Sequence, residues 1–180
     1  MSDAYSPVPE LNRLKEFDER IGNHYYATGF ELLDFDKLDA AGGYSDEQEF
    51  IDSFLCFAYA NHSGSLYALW RIDDREDLAT VPVVVFGDEG GIGIVAKDLR
   101  DLFRQLGCDW PQWPSWDGAQ FMKPDQDDEP SPRHEEYVAW LHDTFGLTPP
   151  DNPGDLLAHA RREYGAQLES WVDRFYEEED

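Results

Sequence analysis

Ser63–Ala96, SGSLYALWRIDDREDLATVPVVVFGDEGGIGIVA, is the stretch whose reading decides the fold. It holds three short apolar runs, an acidic loop (IDDRED) and a glycine cluster (GDEGGIG). The central run, VPVVVFG, is rich in β-branched residues, which lose side-chain freedom in a helix but suit a pleated strand. Upstream, FIDSFLCFAYA (50–60) is aromatic and nearly uncharged, and NHSGS separates it from LYALWRI. Two apolar runs around a short polar turn containing glycine form a hairpin signal. Four strands are therefore expected, over Phe54–Ala60, Leu66–Ile72, Val81–Phe86 and Ile92–Ala96. Their connections are too short for the helical crossover that parallel neighbours need, so the order should be antiparallel. Pro82 suggests an edge strand or the first position of a strand.

The glycine cluster also contains a G-x-G-x-x-A string at Gly91, Gly93 and Ala96. A dinucleotide fingerprint requires glycines directly between a strand and a helix whose N-terminus receives the pyrophosphate. Here IGIVA is itself strand-like, and Asp88 and Glu89 lie where they would repel phosphate. The glycines are expected to shape a hairpin corner.

Helical spacing flanks this centre. Pro9–Ile21 carries Leu11, Leu14, Phe17 and Ile21 on one stripe, with Gly22 placed to end it. KDLRDLFRQLG (97–107) repeats the pattern at Leu99, Leu102, Phe103 and Leu106. CDWPQWPSWDGAQFMKPDQDDEPSP (108–132) is rich in Trp and Pro and then acidic, and is expected to be an irregular connection. Ser131-Pro132 should cap and open a helix over RHEEYVAWLHDTFG, and Asn152-Pro153 another over GDLLAHARREYG. AQLESWVDRFYEEED then shows a further stripe at Leu168, Trp171, Val172 and Phe175. The expected fold class is α+β: an antiparallel meander of about four or more strands, flanking helices and a helical C-terminal tail. One domain should span residues 1–180, with its core at about 50–107 and a helical extension at about 131–180.

Charge narrows the partners. Lys and Arg number 14 against 39 Asp and Glu, a formal net charge of −25, which repels nucleic acid and attracts a basic protein. The plainer role of such acidity is solubility. The start of the chain lacks a basic segment followed by an apolar run, and no stretch has the length of a membrane span, so a cytoplasmic location is expected. Cys56 and Cys108 stand in apolar surroundings and are expected to be reduced, buried thiols rather than a disulfide pair.

Little in the chain points to catalysis. His24, His62, His134, His142 and His159 form no metal-ligand pattern, and there is no C-x-x-C or G-x-S-x-G. No metal, cofactor or catalytic residue is expected. Trp110, Trp113 and Trp116 with Pro111 and Pro114 form an unusual cluster, which is either buried under a connection or an exposed anchor for a partner.

FLCFAYANHSGSLYALW followed by VPVVVFGDEGGIGIVAKDLRDLFRQLG resembles the SUKH superfamily. That group includes immunity proteins of bacterial polymorphic toxin systems and relatives of the fungal cell-wall synthesis regulator. The resemblance covers about Phe54–Leu106, with the family's Ser-Gly turn on Ser63-Gly64 and its acid-Gly turn on Glu89-Gly90. It implies an α+β fold, no cofactor, no enzymatic activity and a protein partner. The expected function is an immunity protein, a monomer, that neutralises a cognate basic toxin domain. A regulatory adaptor and an acidic nucleic-acid mimic are the alternatives. Candidate partner residues are Asp88, Glu89 and His62 at one end of the meander, Asp73, Asp74, Glu76 and Asp77 at the other, and Trp113. The end with Asp88 and Glu89 is favoured, because the surrounding glycines should leave those carboxylates uncovered.

Overall fold

Strand β4, Val83–Phe86, shows how the sheet is built: all four residues are buried, Val83 and Val85 in one apolar cluster and Val84 and Phe86 in another. Side chains of a strand alternate between faces, so an unbroken apolar run belongs to a sheet covered on both sides. The computed structural model of the protein describes residues 4–22, 24–39, 41, 44–88, 90–115 and 118–176. Its main sheet is antiparallel throughout, in the order β1 (Glu31–Leu32), β2 (Phe54–Tyr59), β3 (Leu66–Trp70), β4 and β5 (Ile92–Ala96). The four expected strands are present, β5 with the expected bounds and the other three shorter by one or two residues. β1 is an addition, two residues long and paired with Tyr59 and Ala58. β4 is an interior strand. Pro82 stands just before it, where the missing N–H breaks no ladder, and its carbonyl accepts from the Trp70 N–H at 2.9 Å.

Two bulges adjust the alternation. The register of β2 against β3 shifts between Cys56 and Ala58, and that of β5 against β4 shifts between Ile94 and Ala96. Phe57 and Val95 are the extra residues, and in each case the next residue stays on the same face. Phe57, Ala58, Val95 and Ala96 thus all enter the first cluster, whereas Cys56 and Ile94 enter the second.

Helices cover both faces. α1 (Pro9–Ile21) buries Leu11, Leu14, Phe17 and Ile21 on the first. α3 (Leu99–Leu106) and α4 (His134–Phe145) join it there through Leu102, Phe103, Tyr137 and Leu141. On the second face the short α2 (Gln48–Asp52) supplies Phe50 and α5 (Pro153–Tyr176) supplies Leu168, Val172 and Phe175. Trp171 stacks on Phe50 at 5.3 Å and meets Phe54 edge-on at 5.6 Å. Burying each such side chain stabilises the fold by about 1.5–3 kcal/mol. Leu157 belongs to the first cluster, so α5 begins there and passes β5 to reach the second.

Three expectations need correction. The C-terminal stripes form one helix of 24 residues, which runs through Gly165. A single interior glycine costs only about 1 kcal/mol, and the stripe Leu157, Ala160, Tyr164, Leu168, Val172, Phe175 keeps helical spacing across it. The connection at 108–132 is not wholly irregular: β6 (Gln112–Ser115) and β7 (Gly118–Phe121) form a second small sheet beside β5. Ser131 does not cap α4, whose flanking residue is Arg133 without a side-chain cap; its hydroxyl and N–H are both given to Asp109. Among the described residues no helix is long and apolar enough to cross a membrane.

Candidate functional site

Antiparallel parity places the β2–β3 and β4–β5 turns at one end of the sheet. Asn61 organises the first of them. Its Oδ1 accepts from the N–H groups of Ser63 and Ser65 at 3.2 and 3.1 Å, a side-chain substitute for a backbone turn. Ser65 then ties the two turns together: its hydroxyl donates to Asp88 Oδ1 at 2.9 Å and accepts from the Asp88 N–H at 3.2 Å. Ser63 Oγ lies within reach of both Asn61 Oδ1 (2.9 Å) and Asp88 Oδ1 (3.2 Å). The second turn closes with Gly87 N–H on the Gly91 carbonyl at 2.9 Å, and Gly90 and Gly91 sit at φ 110° and 89°. Positive φ accounts for Gly90 and Gly91, and Gly93 and Ala96 already belong to β5, so the G-x-G-x-x-A string runs from a hairpin corner into a strand and not into a helix.

Two further segments complete a cleft of about 400 Å³ at this end. Thr28 and Gly29 form one wall, and Pro111, Gln112 and Trp113 another, with Asn61, His62, Ser63, Gly87, Asp88 and Gly90 between them. Gly29 (φ 72°) packs so closely on the β2–β3 turn that a Cβ there would stand 2.7 Å from Asn61 Cα. Asn61 Nδ2 in turn donates to the Gln112 carbonyl at 3.4 Å.

The walls are held from behind by Asp109, which is 9% exposed. Its Oδ1 accepts from Thr28 N–H (2.7 Å), Thr28 Oγ1 (2.8 Å) and Ser131 Oγ (2.8 Å), and its Oδ2 from Ser131 N–H (2.7 Å). Asp109 adopts φ 56°, a conformation that aspartate tolerates better than most residues. One carboxylate thus fixes three loops that are remote in sequence.

Of the expected site residues, His62, Asp88 and Trp113 are brought together on this cleft. His62 meets the Tyr25 ring edge-on at 5.3 Å, and Tyr25 is itself partly exposed. Trp113 is 60% exposed, on the outer side of β6, whereas its neighbour Gln112 is 2% exposed. Asp88 is exposed but not uncovered, as its Oδ1 is bound by hydroxyls. Glu89 lies outside the described residues, as does Trp116. Asp73, Asp74, Glu76 and Asp77 fall at the opposite end, so the acidic turns do not form one patch. There Arg75 grips Asp73 through two contacts of 2.7 and 2.6 Å and holds its carboxyl down at about 2. Asp77 caps the turn Leu78–Thr80 through the Ala79 N–H.

Two features of the site were not foreseen. Asp109 has partners 81 and 22 residues away, and no local pattern announces such contacts. Neither carboxamide atom of Gln112 has a hydrogen-bond partner among the described residues. A buried polar group left without a partner costs about 1–3 kcal/mol.

Cys56 is buried and Cys108 only partly so, and both are free. Burial pushes each thiol up to about 11, the direction that disfavours the thiolate. Among the described residues no three His, Cys, Asp or Glu side chains are grouped so as to hold a metal ion. No protein-family model, no curated protein and no solved structure matches the chain.

Proposed function

We infer that this chain is an immunity protein, which uses the Asp88 end of its sheet to bind and neutralise the basic domain of a cognate toxin in the cytoplasm of the producing cell. The observation that carries this reading is the meeting of Trp113, His62 and Asp88 around one cleft on a chain of net charge −25. An exposed tryptophan beside a formed cleft is the kind of anchor that dominates protein interfaces. The long-range field of an acidic chain accelerates encounter with a basic surface. The opposite end fits less well, because Arg75 already compensates Asp73 and Asp77 serves its own turn. The resemblance of Phe54–Leu106 to the SUKH superfamily supports the same reading.

Co-expression with the product of the adjacent reading frame tests it. The chain should rescue cells from that product and co-purify with it. Asp88→Asn with Trp113→Ala should lose protection, whereas Asp73→Asn with Asp74→Asn should keep it. Failure to protect against any neighbouring product would refute the reading, and indiscriminate binding of unrelated basic proteins would favour a nucleic-acid mimic.

A further inference from the structure

The charges lining the cleft do not balance. Among the described residues Asp88 is its one carboxylate, and no lysine or arginine lines it. Among the described residues Asp88 has no ion-pair partner, in contrast to Asp73 at the far end. Its orientation is nevertheless fixed: Ser63 and Ser65 approach Oδ1, and the Asp88 N–H bonds Ser65, while Oδ2 has no donor among the described residues. The Trp113 indole stands exposed on the same cleft. Gln112, also in the lining, is 98% buried with both carboxamide atoms unpartnered. Turning that carboxamide toward an occupant breaks no hydrogen bond.

We propose that the cleft receives an arginine side chain of the basic partner, with the Asp88 carboxylate as counter-ion and the Trp113 indole as stacking surface. A guanidinium suits this combination better than an ammonium. It is planar and weakly hydrated, stacks on an aromatic face, and has donors enough to meet a carboxylate and a carboxamide oxygen together. Ser63 and Ser65 gain a purpose beyond closing the turns, since they aim the carboxylate before the ligand arrives and reduce the ordering that binding requires. The proposal deepens the toxin-binding reading and rests on it for the source of the arginine.

The test is an NMR titration of the full chain with N-acetyl-arginine amide, and with N-acetyl-lysine amide as comparison. The arginine probe should cause saturable shifts confined to residues 61–63, 87, 88 and 90 and the Trp113 indole, and should bind more tightly than the lysine probe. Asp88→Asn, which keeps the Oδ1 acceptor, should weaken binding about tenfold or more by removing the charge. Trp113→Ala should weaken it about threefold or more, while Asp73→Asn with Asp74→Asn should change nothing. Shifts scattered over the acidic surface, equal binding of the two probes, or an unaltered Asp88→Asn variant would overturn the proposal. A chain that protects cells although the probe misses the cleft defeats this inference alone. A chain that binds the probe in the cleft but protects against no neighbouring product defeats only the toxin reading.

Discussion

Replacing Asp109 by alanine should remove a large part of the protein's stability, and the reason can be counted bond by bond. Four donors converge on its carboxylate at 2.7–2.8 Å, two from Thr28 and two from Ser131. Hydrogen bonds to a charged group are worth about 1.5–3 kcal/mol each, but a simple sum overshoots because the partly exposed Thr28 and Ser131 can turn to water. Leaving buried donors without their acceptor costs about 1–3 kcal/mol per group, so with that relief the four together are worth about 4 kcal/mol. Alanine at φ 56° adds about 1 kcal/mol that aspartate largely avoids. The expected loss is about 5 kcal/mol, set against a total stability of about 5–15 kcal/mol for a typical domain. Asp109→Asn separates number of bonds from charge. It keeps Oδ1 with its three donors, tolerates the backbone, and turns an NH₂ toward the Ser131 N–H, so about 2 kcal/mol should go. Urea unfolding followed by tryptophan fluorescence, compared at equal slope, measures both. An alanine loss under about 1 kcal/mol would refute the network argument. Equal losses for the two variants would show that the carboxylate acts through its charge and not through its four bonds.

The thiols, a glycine and a buried carboxylate give three more tests. With burial holding both thiols near 11, iodoacetamide at pH 7.5 should label the folded protein slowly and label two groups in urea; two unreactive cysteines in urea without reductant would show a disulfide instead. Gly29→Ala should cost about 3 kcal/mol, from left-handed strain and a clash with the Asn61 backbone that no side chain can relieve, and a change in melting temperature under one degree would contradict that packing. Asp101 is raised above the ordinary aspartate range, first by burial and then by Asp98, with Lys97 and Arg104 offsetting only part. A carboxyl raised in the folded state loses stability as pH climbs from its unfolded value through its folded one, so Asp101→Asn should be the more stable protein at pH 7. The two should converge below about pH 4, and a gap that widens on acidification would reverse the sign.

What could be read from the chain depended on how far apart the interacting residues lie. Pro9–Ile21 and Leu99–Leu106 could be placed because their stripes are local, and the strands because apolar runs alternate with short turns. The chemistry of Gly165 argued for two helices, but the uninterrupted spacing from Leu157 to Phe175 was the stronger signal: packing along 24 residues outweighs one poor helix former. β1 could not be read, since two residues paired to Tyr59 and Ala58 carry no period. β6 and β7 were hidden by Pro114, which argues against a strand, although Asp117-Gly118 is a strong hairpin dipeptide.

The candidate site divides along the same line. That the turn holding His62 and the one holding Asp88 share an end follows from strand parity alone, and Ser65 binds them together there. Parity also separates Asp73–Asp77 from that end. Trp113 could be marked as unusual but not located, because its position depends on a hairpin set beside β5 and on the Asn61 contact to the Gln112 carbonyl. Asp109 illustrates the opposite extreme. Its three loops are brought together by elements remote in sequence, so its role belongs to the tertiary fold and leaves no trace in local sequence. The same logic explains why charge alone could not select the proposed binding end. Thirty-nine carboxylates set a field over the whole surface, which steers any basic partner. Discrimination needs a carboxylate that the protein orients yet leaves without a cation, and of the two acidic turns only the one with Asp88 pairs that condition with a cleft and an exposed indole.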